Sequence, residues 1–394
     1  MNNIVVLAWN EEKIIEAKEV LKQYNILYIT GYELSDERIA RLDNTFDKID
    51  IIDCADMKSE SYLISAIKQW SDNIYRIITM EELCLIMAAK LRENLNIDGD
   101  KIQDVLKFRD KFLMLDCVKK AVLTPKTETI KTKDQIKNFV EKNGKSFIKP
   151  TLGVGSKRCH TINKDTNIDE LCVDLERRDY IIQEYIEGRF FHCDGVSIDG
   201  NLYCFNAMEY LEKTTEMDRP YFRSVSVFDN GLYQKLKTAA QNVIAVMPRG
   251  KYVFHAEFFE RNGEIIFCEI AKRSGGAAIV PLMQYIYGIN LNEIMVKIMI
   301  NEDFDLPDNK IHDKYFAYIL YHPFNGIVKE IEGLDYLSNE FVFYKEVNIK
   351  ENSKMEDAIY SSEAIMMAAF YGDTKKEVNE RLLELTNKLK IVIS

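Results

Sequence analysis

The chain has 394 residues, 47% of them hydrophobic and 29% charged. These fractions exclude a disordered or low-complexity polymer and supply ample apolar side chain for a large core. Lys and Arg total 52 against 63 Asp and Glu, a formal net charge of −11. Duplex nucleic acid and anionic membranes are therefore poor partners, and any phosphate ligand needs a local cluster of positive charge. At roughly 150 residues per domain the length suggests two or three domains. The eight cysteines (Cys54, Cys84, Cys117, Cys159, Cys172, Cys193, Cys204 and Cys268) are scattered and form no CxxC pair. They read as reduced thiols rather than a disulfide or zinc framework. Met1-Asn2-Asn3 and the short apolar run Ile4 to Trp9 have neither a basic n-region nor a long h-region. No apolar run approaches the ~18 residues that span a bilayer. The expected location is the cytoplasm.

In chain order, Ile4 to Ala8 reads as a strand. Glu11 to Tyr24 follows as a helix, with Ile14, Ala17, Leu21 and Tyr24 on one side. Ile26 to Thr30, Ile49 to Cys54 and Ile74 to Thr79 read as further strands, and Lys58 to Trp70 as a helix. This alternation predicts a parallel α/β sheet over the first hundred residues. The turn Trp9-Asn10-Glu11-Glu12 has no glycine and two carboxylates, so it is not a dinucleotide-binding fingerprint. Beyond it, Lys101 to Val118 reads as one helix, Thr127 to Ile130 as extended, Lys133 to Lys142 as helical and Ser146 to Lys149 as a strand. Tyr180 to Leu211 and Lys251 to Ala271 are strand-rich, with hairpin turns at Asp199-Gly200 and near Asn262-Gly263. The last part combines strands (Tyr315 to Tyr321, Ala364 to Tyr371) with a helix (Thr374 to Lys388).

The most informative segment is KYVFHAEFFERNGEIIFCEIAKRSGGAA, Lys251 to Ala278. Period-2 alternation puts Val253, His255 and Glu257 on one face of its first strand. On the second, Glu269, Ala271 and Arg273 share a face with Ile265 and Phe267. A two-residue Asn-Gly turn would pair Ala256 with Glu269 and send the two glutamates to opposite faces. A three-residue loop, Arg261-Asn262-Gly263, instead pairs Glu257 with Phe267 and His255 with Glu269 and brings both glutamates to one face. A loop of three residues, or another odd length, is expected, with Glu257 and Glu269 sharing a metal ion. Arg273 follows on that face, and Gly275 and Gly276 admit close backbone approach by a ligand. Carboxylates holding Mg²⁺ beside an arginine suit a nucleotide triphosphate.

A second segment, Gly144 to His160 (GKSFIKPTLGVGSKRCH), carries Lys145, Lys149, Lys157 and Arg158 and no acid. Glycines Gly153 and Gly155, with Ser156, free backbone N–H groups to wrap phosphate oxygens, and Lys149 supplies a point charge. The spacing is not that of a Walker A loop. The strand ending Gln183-Glu184 could present a backbone edge to a planar base. Lys111 lies in the helix around Phe108 to Phe112. Glu212 to Arg223 reads as a polar flap, with Arg219 or Arg223 meeting a substrate carboxylate.

Taken in order, these segments resemble the ATP-grasp superfamily, and within it the carboxylate–amine ligases similar to L-amino-acid (dipeptide) ligases. The resemblance implies a parallel-sheet pre-ATP-grasp domain over 1–100, including TMEELCLIMAAKLRENLNIDG. It implies a small lobe with the glycine-rich loop over 101–187, a large lobe with the metal site over 188–302, and a closing subdomain over 303–394, an α/β and α+β architecture. It assigns Lys111 and Lys149 to nucleotide phosphates and LGVGS to the flexible lid. Gln183, Glu184, Tyr185 and Ile186 fall where the family grips adenine, and Glu187 where ribose is contacted. Glu257 and Glu269 match the Mg²⁺ ligands, a site Mn²⁺ can also fill, with Arg273 in E-x-[N/A]-x-R-x-G-G. Ala271 stands where many relatives carry an asparagine ligand, Phe190 replaces an acid near the ribose, and Leu115 stands where a basic residue is frequent. The implied reaction activates a substrate carboxylate as an acyl phosphate at the expense of ATP, and an amine then displaces phosphate to give an amide. Lys149 and Arg273 would act on the transferring phosphoryl group, and His255 would orient Glu269 or touch substrate. Small amino-acid-like carboxylates and amines are the implied partners, and a homodimer is compatible with the family. Rival readings are another acceptor, bicarbonate or a carrier-protein thiol, and a nucleotide-binding regulator without catalysis.

Overall fold

The computed structural model describes residues 1–8, 12–31, 46–171, 175, 179–213, 219–312, 314–358 and 363–394. Its N-terminal apolar runs form a parallel sheet of β1 (Asn2–Ala8), β2 (Tyr24–Thr30), β3 (Lys48–Ile51) and β4 (Ile74–Ile78), in the order β3-β2-β1-β4. Two short helices, α1 (Glu12–Glu16) and α2 (Lys18–Leu21), replace the single helix expected before β2, and Tyr24 opens that strand. The Trp9-Asn10-Glu11 turn lies outside the described residues. Helices α3 (Glu60–Trp70) and α4 (Leu85–Asn94) complete this unit. Strand alternation gives the sheet two apolar faces. Val5, Leu7, Leu27 and Ile29 pack with Leu63 and Met87 of α3 and α4. Ile4, Val6 and Tyr28 pack with Met283, Leu291 and Val296, far along the chain. The sheet is thereby docked onto the helices that follow β13.

Where one helix was expected over Lys101 to Val118 there are two, α5 (Ile102–Arg109) and α6 (Lys111–Val118). Asp110 leaves the helical conformation, and its carboxylate accepts from the backbone N–H groups of Phe112 at 2.9 Å and Leu113 at 3.1 Å. Lys111 is thus the first residue of a capped helix. There follow β5 (Thr127–Ile130), α7 (Lys133–Asn143), β6 (Ser146–Pro150), β7 (His160–Ile162) and β8 (Tyr180–Glu184). The strands make an antiparallel sheet in the order β5-β8-β6-β7. Thr132 and Gln135 form a capping box at the start of α7. Its apolar residues Ile136 and Phe139 meet Ile148 and Ile182 of the sheet.

The next elements are β9 (Arg189–Ile198), β10 (Asn201–Tyr210), β11 (Tyr221–Ser226), α8 (Asn230–Val246), β12 (Lys251–Arg261), β13 (Glu264–Ala271), α9 (Ile279–Tyr287) and α10 (Leu291–Ile300). The chain ends with β14 (Tyr315–Tyr321), β15 (Gly326–Glu332), β16 (Val342–Val347), β17 (Lys354–Met355), β18 (Met366–Gly372), α11 (Lys375–Lys388) and β19 (Lys390–Ile393). Eight of these strands form one antiparallel sheet, β13-β12-β9-β10-β11-β14-β18-β16, and β17-β15-β19 form a small one. On β12 the residues Tyr252, Phe254, Ala256 and Phe258 join the core under α8. Val253, His255 and Glu257 alternate to the other face, where Val253 belongs to the core shared with the N-terminal sheet. Among the described residues no helix is long and apolar enough to cross a membrane.

Candidate active site

The hairpin β12–β13 closes through the two-residue turn Asn262-Gly263, with Arg261 opposite Glu264 and φ of +55° and +83° at the turn residues. The expected odd-length loop is absent. Continued without interruption, that register keeps Phe258 opposite Phe267 and would place the two glutamates on opposite faces. A β-bulge at Cys268 shifts the pairing by one residue, so that Glu257 stands directly opposite Glu269, Ala256 opposite Ile270 and His255 opposite Ala271. The bulge also divides the second strand. Ile265 and Phe267 pack into the core under α8, so they do not share the face of Glu269. His255 is not the partner of Glu269, as the longer loop had implied.

Two lysines reach this pair from separate elements. Lys111, at the N-terminus of α6, donates through Nζ to the Gly153 carbonyl at 2.9 Å and lies 3.4 Å from Glu269 Oε2. Its backbone N–H donates to Thr151 O at 3.0 Å, tying α6 to the start of the glycine loop. Lys149, on β6, brings its Nζ to 3.8 Å from the same carboxylate oxygen. Both lysines are buried. Burial pushes the Glu269 carboxyl up, but the two ammonium groups outweigh it and hold the pKa below the ordinary value. In the loop, Gly155 and Ser156 are both left-handed at φ +57°, a conformation that glycine takes freely and serine rarely.

Arg273 projects from the segment after β13. Its Nε donates to Glu82 Oε2 at 2.8 Å and a terminal N–H donates to Ser274 O at 2.9 Å. Glu82 comes from the turn after β4 and also pairs with Arg109 of α5. Burial opposes its ionisation, yet Arg109, Arg273 and Lys111 hold its carboxyl down to about 2. The N-terminal sheet therefore aims the arginine.

Beside Glu257 sits a buried polar cluster. Asp194 of β9 accepts from His192 Nδ1 at 2.5 Å and from His255 Nδ1 at 2.8 Å. His255 Nε2 is 3.7 Å from Glu257 Oε1, and the Tyr210 hydroxyl donates to that oxygen at 3.5 Å. His192 Nε2 contacts Ser224 Oγ at 3.2 Å and the Tyr318 hydroxyl at 3.3 Å. Burial depresses the His255 imidazole, but Asp194 and Glu257 outweigh it and push the pKa up to about 9. Gly275 lies against this cluster: a Cβ there would stand 2.8 Å from His255 Nδ1 and 3.0 Å from Asp194 Oδ1.

Residues 108–276 match the sequence model of the ATP-grasp domain. The chain carries an ATP-grasp domain. No curated protein matches the sequence. The ATP-grasp fold recurs in the L-amino acid ligase from Bacillus licheniformis, with 13% identity, a TM-score of 0.79, and coverage of 100% of this chain and 99% of that one. It recurs in phosphoribosylglycinamide synthetase from Anaerococcus prevotii (16%, TM-score 0.70, 100% of both chains). N5-carboxyaminoimidazole ribonucleotide synthetase from Thermotoga maritima is a third (14%, TM-score 0.72, 100% of both chains).

Within the ATP-grasp domain, Glu257, Glu269, Lys111, Lys149 and the Gly153 carbonyl converge, and the Arg273 guanidinium lies within electrostatic range of Glu269. Gln183, Glu184, Tyr185 and Ile186 lie at the end of β8. Gln183 is buried and donates to Thr127 Oγ1 at 2.9 Å. Glu184 accepts from the Lys126 backbone N–H at 3.3 Å and lies 3.8 Å from Arg261. Tyr185 donates through its backbone N–H to Lys145 O at 3.0 Å and carries the Lys145 ammonium 4.0 Å from its ring centre. Ile186 is buried and Glu187 exposed. The carbonyl of Gly276 accepts from Ile279 N–H at the entry to α9.

The flap expectation is only partly within view, because residues 214–218 lie outside the described residues. Arg223 belongs to β11 rather than to a flap. Its guanidinium is engaged by Glu212, at 3.0 Å from Nε and 2.6 Å from a terminal nitrogen, and so is not poised for a substrate carboxylate. Arg219 precedes that strand. The residues missed from sequence are Glu82, Asp194 and His192. Asp194 and His192 did leave a signal: His-x-Asp in an otherwise apolar strand, RFFHCDGV, places two polar groups on one face.

Proposed function

We propose that this chain is an ATP-dependent carboxylate–amine ligase that releases ADP and phosphate and forms an amide between small amino-acid-like substrates. The observation that carries the reading is the direct opposition of Glu257 and Glu269 under Lys111 and Lys149, with Arg273 clamped by Glu82 nearby. Two opposed carboxylates, oxygen donors without sulfur, have the chemistry that suits Mg²⁺. Ala271 offers no third side-chain ligand, so the two glutamates hold the ion. Bound Mg²⁺ supplies charge neutralisation at the nucleotide's phosphate oxygens.

The chain's own groups have separable tasks. Lys111 and Lys149 keep Glu269 ionised and hold phosphate oxygens, together with the N–H groups of Gly153, Gly155 and Ser156. The end of β8, Gln183 to Glu187, receives the base and ribose. Arg273 stabilises charge on the transferring phosphoryl group and on the activated carboxylate, and its fixed orientation by Glu82 means little reorganisation is needed during transfer. The loop over Thr151 to Arg158 excludes water that would hydrolyse an acyl phosphate. Gly275 leaves room for substrate backbone beside His255. The same reading divides the chain into a pre-domain (1–100), the two lobes (101–187 and 188–302) and a closing subdomain (303–394), at work in the cytoplasm.

The test is phosphate release from MgATP with amino-acid pools, with bicarbonate in a parallel arm, and mass identification of products. An amide product with ADP supports the reading. Turnover with bicarbonate alone would assign a different acceptor, and no turnover in either arm would overturn the ligase assignment.

A further inference from the structure

A cavity of about 230 Å³ lies between the N-terminal unit and the large antiparallel sheet, lined by Lys272 but not by Arg273. Its wall carries four cationic side chains, Arg76, Arg92, Lys251 and Lys272, against one carboxylate, Asp100. Asp100 is already engaged by Lys272 at 2.6 Å. Arg76 is 3.6 Å from Asp98, whose side chain is 88% exposed, so that pair is largely screened by solvent. Arg92 is buried, and its guanidinium meets the carbonyl oxygens of Ile77 at 2.8 Å and Asp100 at 3.5 Å. The Asp100 carboxylate that acts on it is shared with Lys272, which holds it more closely. Lys251 is exposed and rests 5.4 Å from the Phe304 ring centre, with no carboxylate ion pair among the described residues. The wall thus carries four positive charges against the one carboxylate of Asp100, in a chain whose net charge is −11. Arg92 is buried with only a shared carboxylate, a costly arrangement that an anionic occupant relieves.

We propose that this cavity is a regulatory binding site for a small organic phosphate dianion. That positive excess selects a dianion over a monocarboxylate. The fork of Arg92 suits phosphate oxygens. The apolar part of the wall, Met295 and Met299 of α10 with Tyr252 of β12, receives a compact organic body. The route to the catalytic half is short and double. Lys272 precedes Arg273 in the chain, and Thr79 and Leu85 of the cavity wall flank Glu82. Both members of the Arg273–Glu82 pair are therefore carried on segments that line this cavity, and an occupant fixes them together. The regulatory half of the proposal rests on the ligase reading; the binding half does not.

The probe is phenyl phosphate, titrated calorimetrically into the full chain without nucleotide, with benzoate as the monoanion control. The site predicts one equivalent bound, about tenfold weaker binding in Lys251→Ala and in Arg92→Met, and unchanged binding in Lys149→Ala. Lys251 is exposed, so its variant carries the test even if Arg92→Met fails to fold. Absent binding, benzoate binding as tightly, or loss in Lys149→Ala with retention in Lys251→Ala would each overturn the site. Phenyl phosphate is further expected to change the rate of ATP turnover about threefold or more in the parent and not in Lys251→Ala. Binding without that change would leave the site and overturn its regulatory role. A chain that binds the probe yet turns over no ATP would count against the ligase reading alone.

Discussion

Replacing Glu82 by Gln removes the charge that holds Arg273 and Arg109 while keeping the side chain's shape. Glu82 is ionised far below its ordinary range, about 2 against 4.5, and that difference is worth about 3 kcal/mol of folded-state stability at neutral pH. Breaking a buried pair at one partner costs a similar amount, roughly 3–5 kcal/mol, because the arginines stay buried. Since the folded pKa is depressed, this stability is fully present above about pH 4.5 and is lost as pH falls through about 2. Scanning calorimetry on Glu82→Gln at pH 7 should show a Tm lowered by roughly 4–6 °C, the shift expected for a chain of 394 residues. The gap to the parent should narrow below about pH 4.5 as the parent's own carboxylate protonates. In turnover assays the variant should lose at least about tenfold in kcat with a much smaller change in KM for ATP, because Arg273 is no longer fixed. A Tm within 1 °C of the parent at pH 7, or a difference that does not depend on pH, would refute the reasoning.

Lys111→Met and Lys149→Met should each weaken ATP binding by about tenfold or more, read by nucleotide-induced thermal shift, and each should raise the pKa of Glu269 toward its ordinary value. Gly275→Ala places a methyl group against the Ile279 side chain, His255 and Asp194. It should lower activity and cost ~1–3 kcal/mol of stability by denaturant midpoint, whereas a freely accommodated methyl would change neither. Gly188→Ala drives its Cβ into the backbone carbonyl oxygen of Glu260. It should destabilise the β8–β9 connection by a similar amount in hydrogen exchange.

The sequence was most legible where one physical signal was repeated. Alternating apolar runs and helices identified the parallel sheet, and four basic residues without an acid marked the loop proposed to hold phosphate. The glutamate pair was found for a partly wrong reason. Strand period is local, and with both glutamates required on one face it asked for an odd-length loop, against the turn chemistry of Asn-Gly. The chain instead uses the favoured Asn-Gly turn and corrects the register with a bulge at Cys268, which nothing in the residue types announces. The break at Asp110 was readable in principle, since an aspartate followed by Lys111 at a helix start is a capping signal. An unbroken apolar period across it favoured one helix. Glu82 and Asp194 were out of reach for another reason: their partners, Arg273 and His255, are 191 and 61 residues away in sequence. Such pairs exist only once the N-terminal sheet is docked and the central strands are paired.

The central claim is that Glu257 and Glu269 serve one ATP-dependent ligation. Its most direct test is to supply the protein with MgATP and a mixture of amino acids and to identify nucleotide and organic products by mass spectrometry, beside Glu269→Gln. The account predicts ADP, phosphate and an amide in equal amounts from the parent and none from the variant. AMP with pyrophosphate, or the same product from Glu269→Gln, would contradict it.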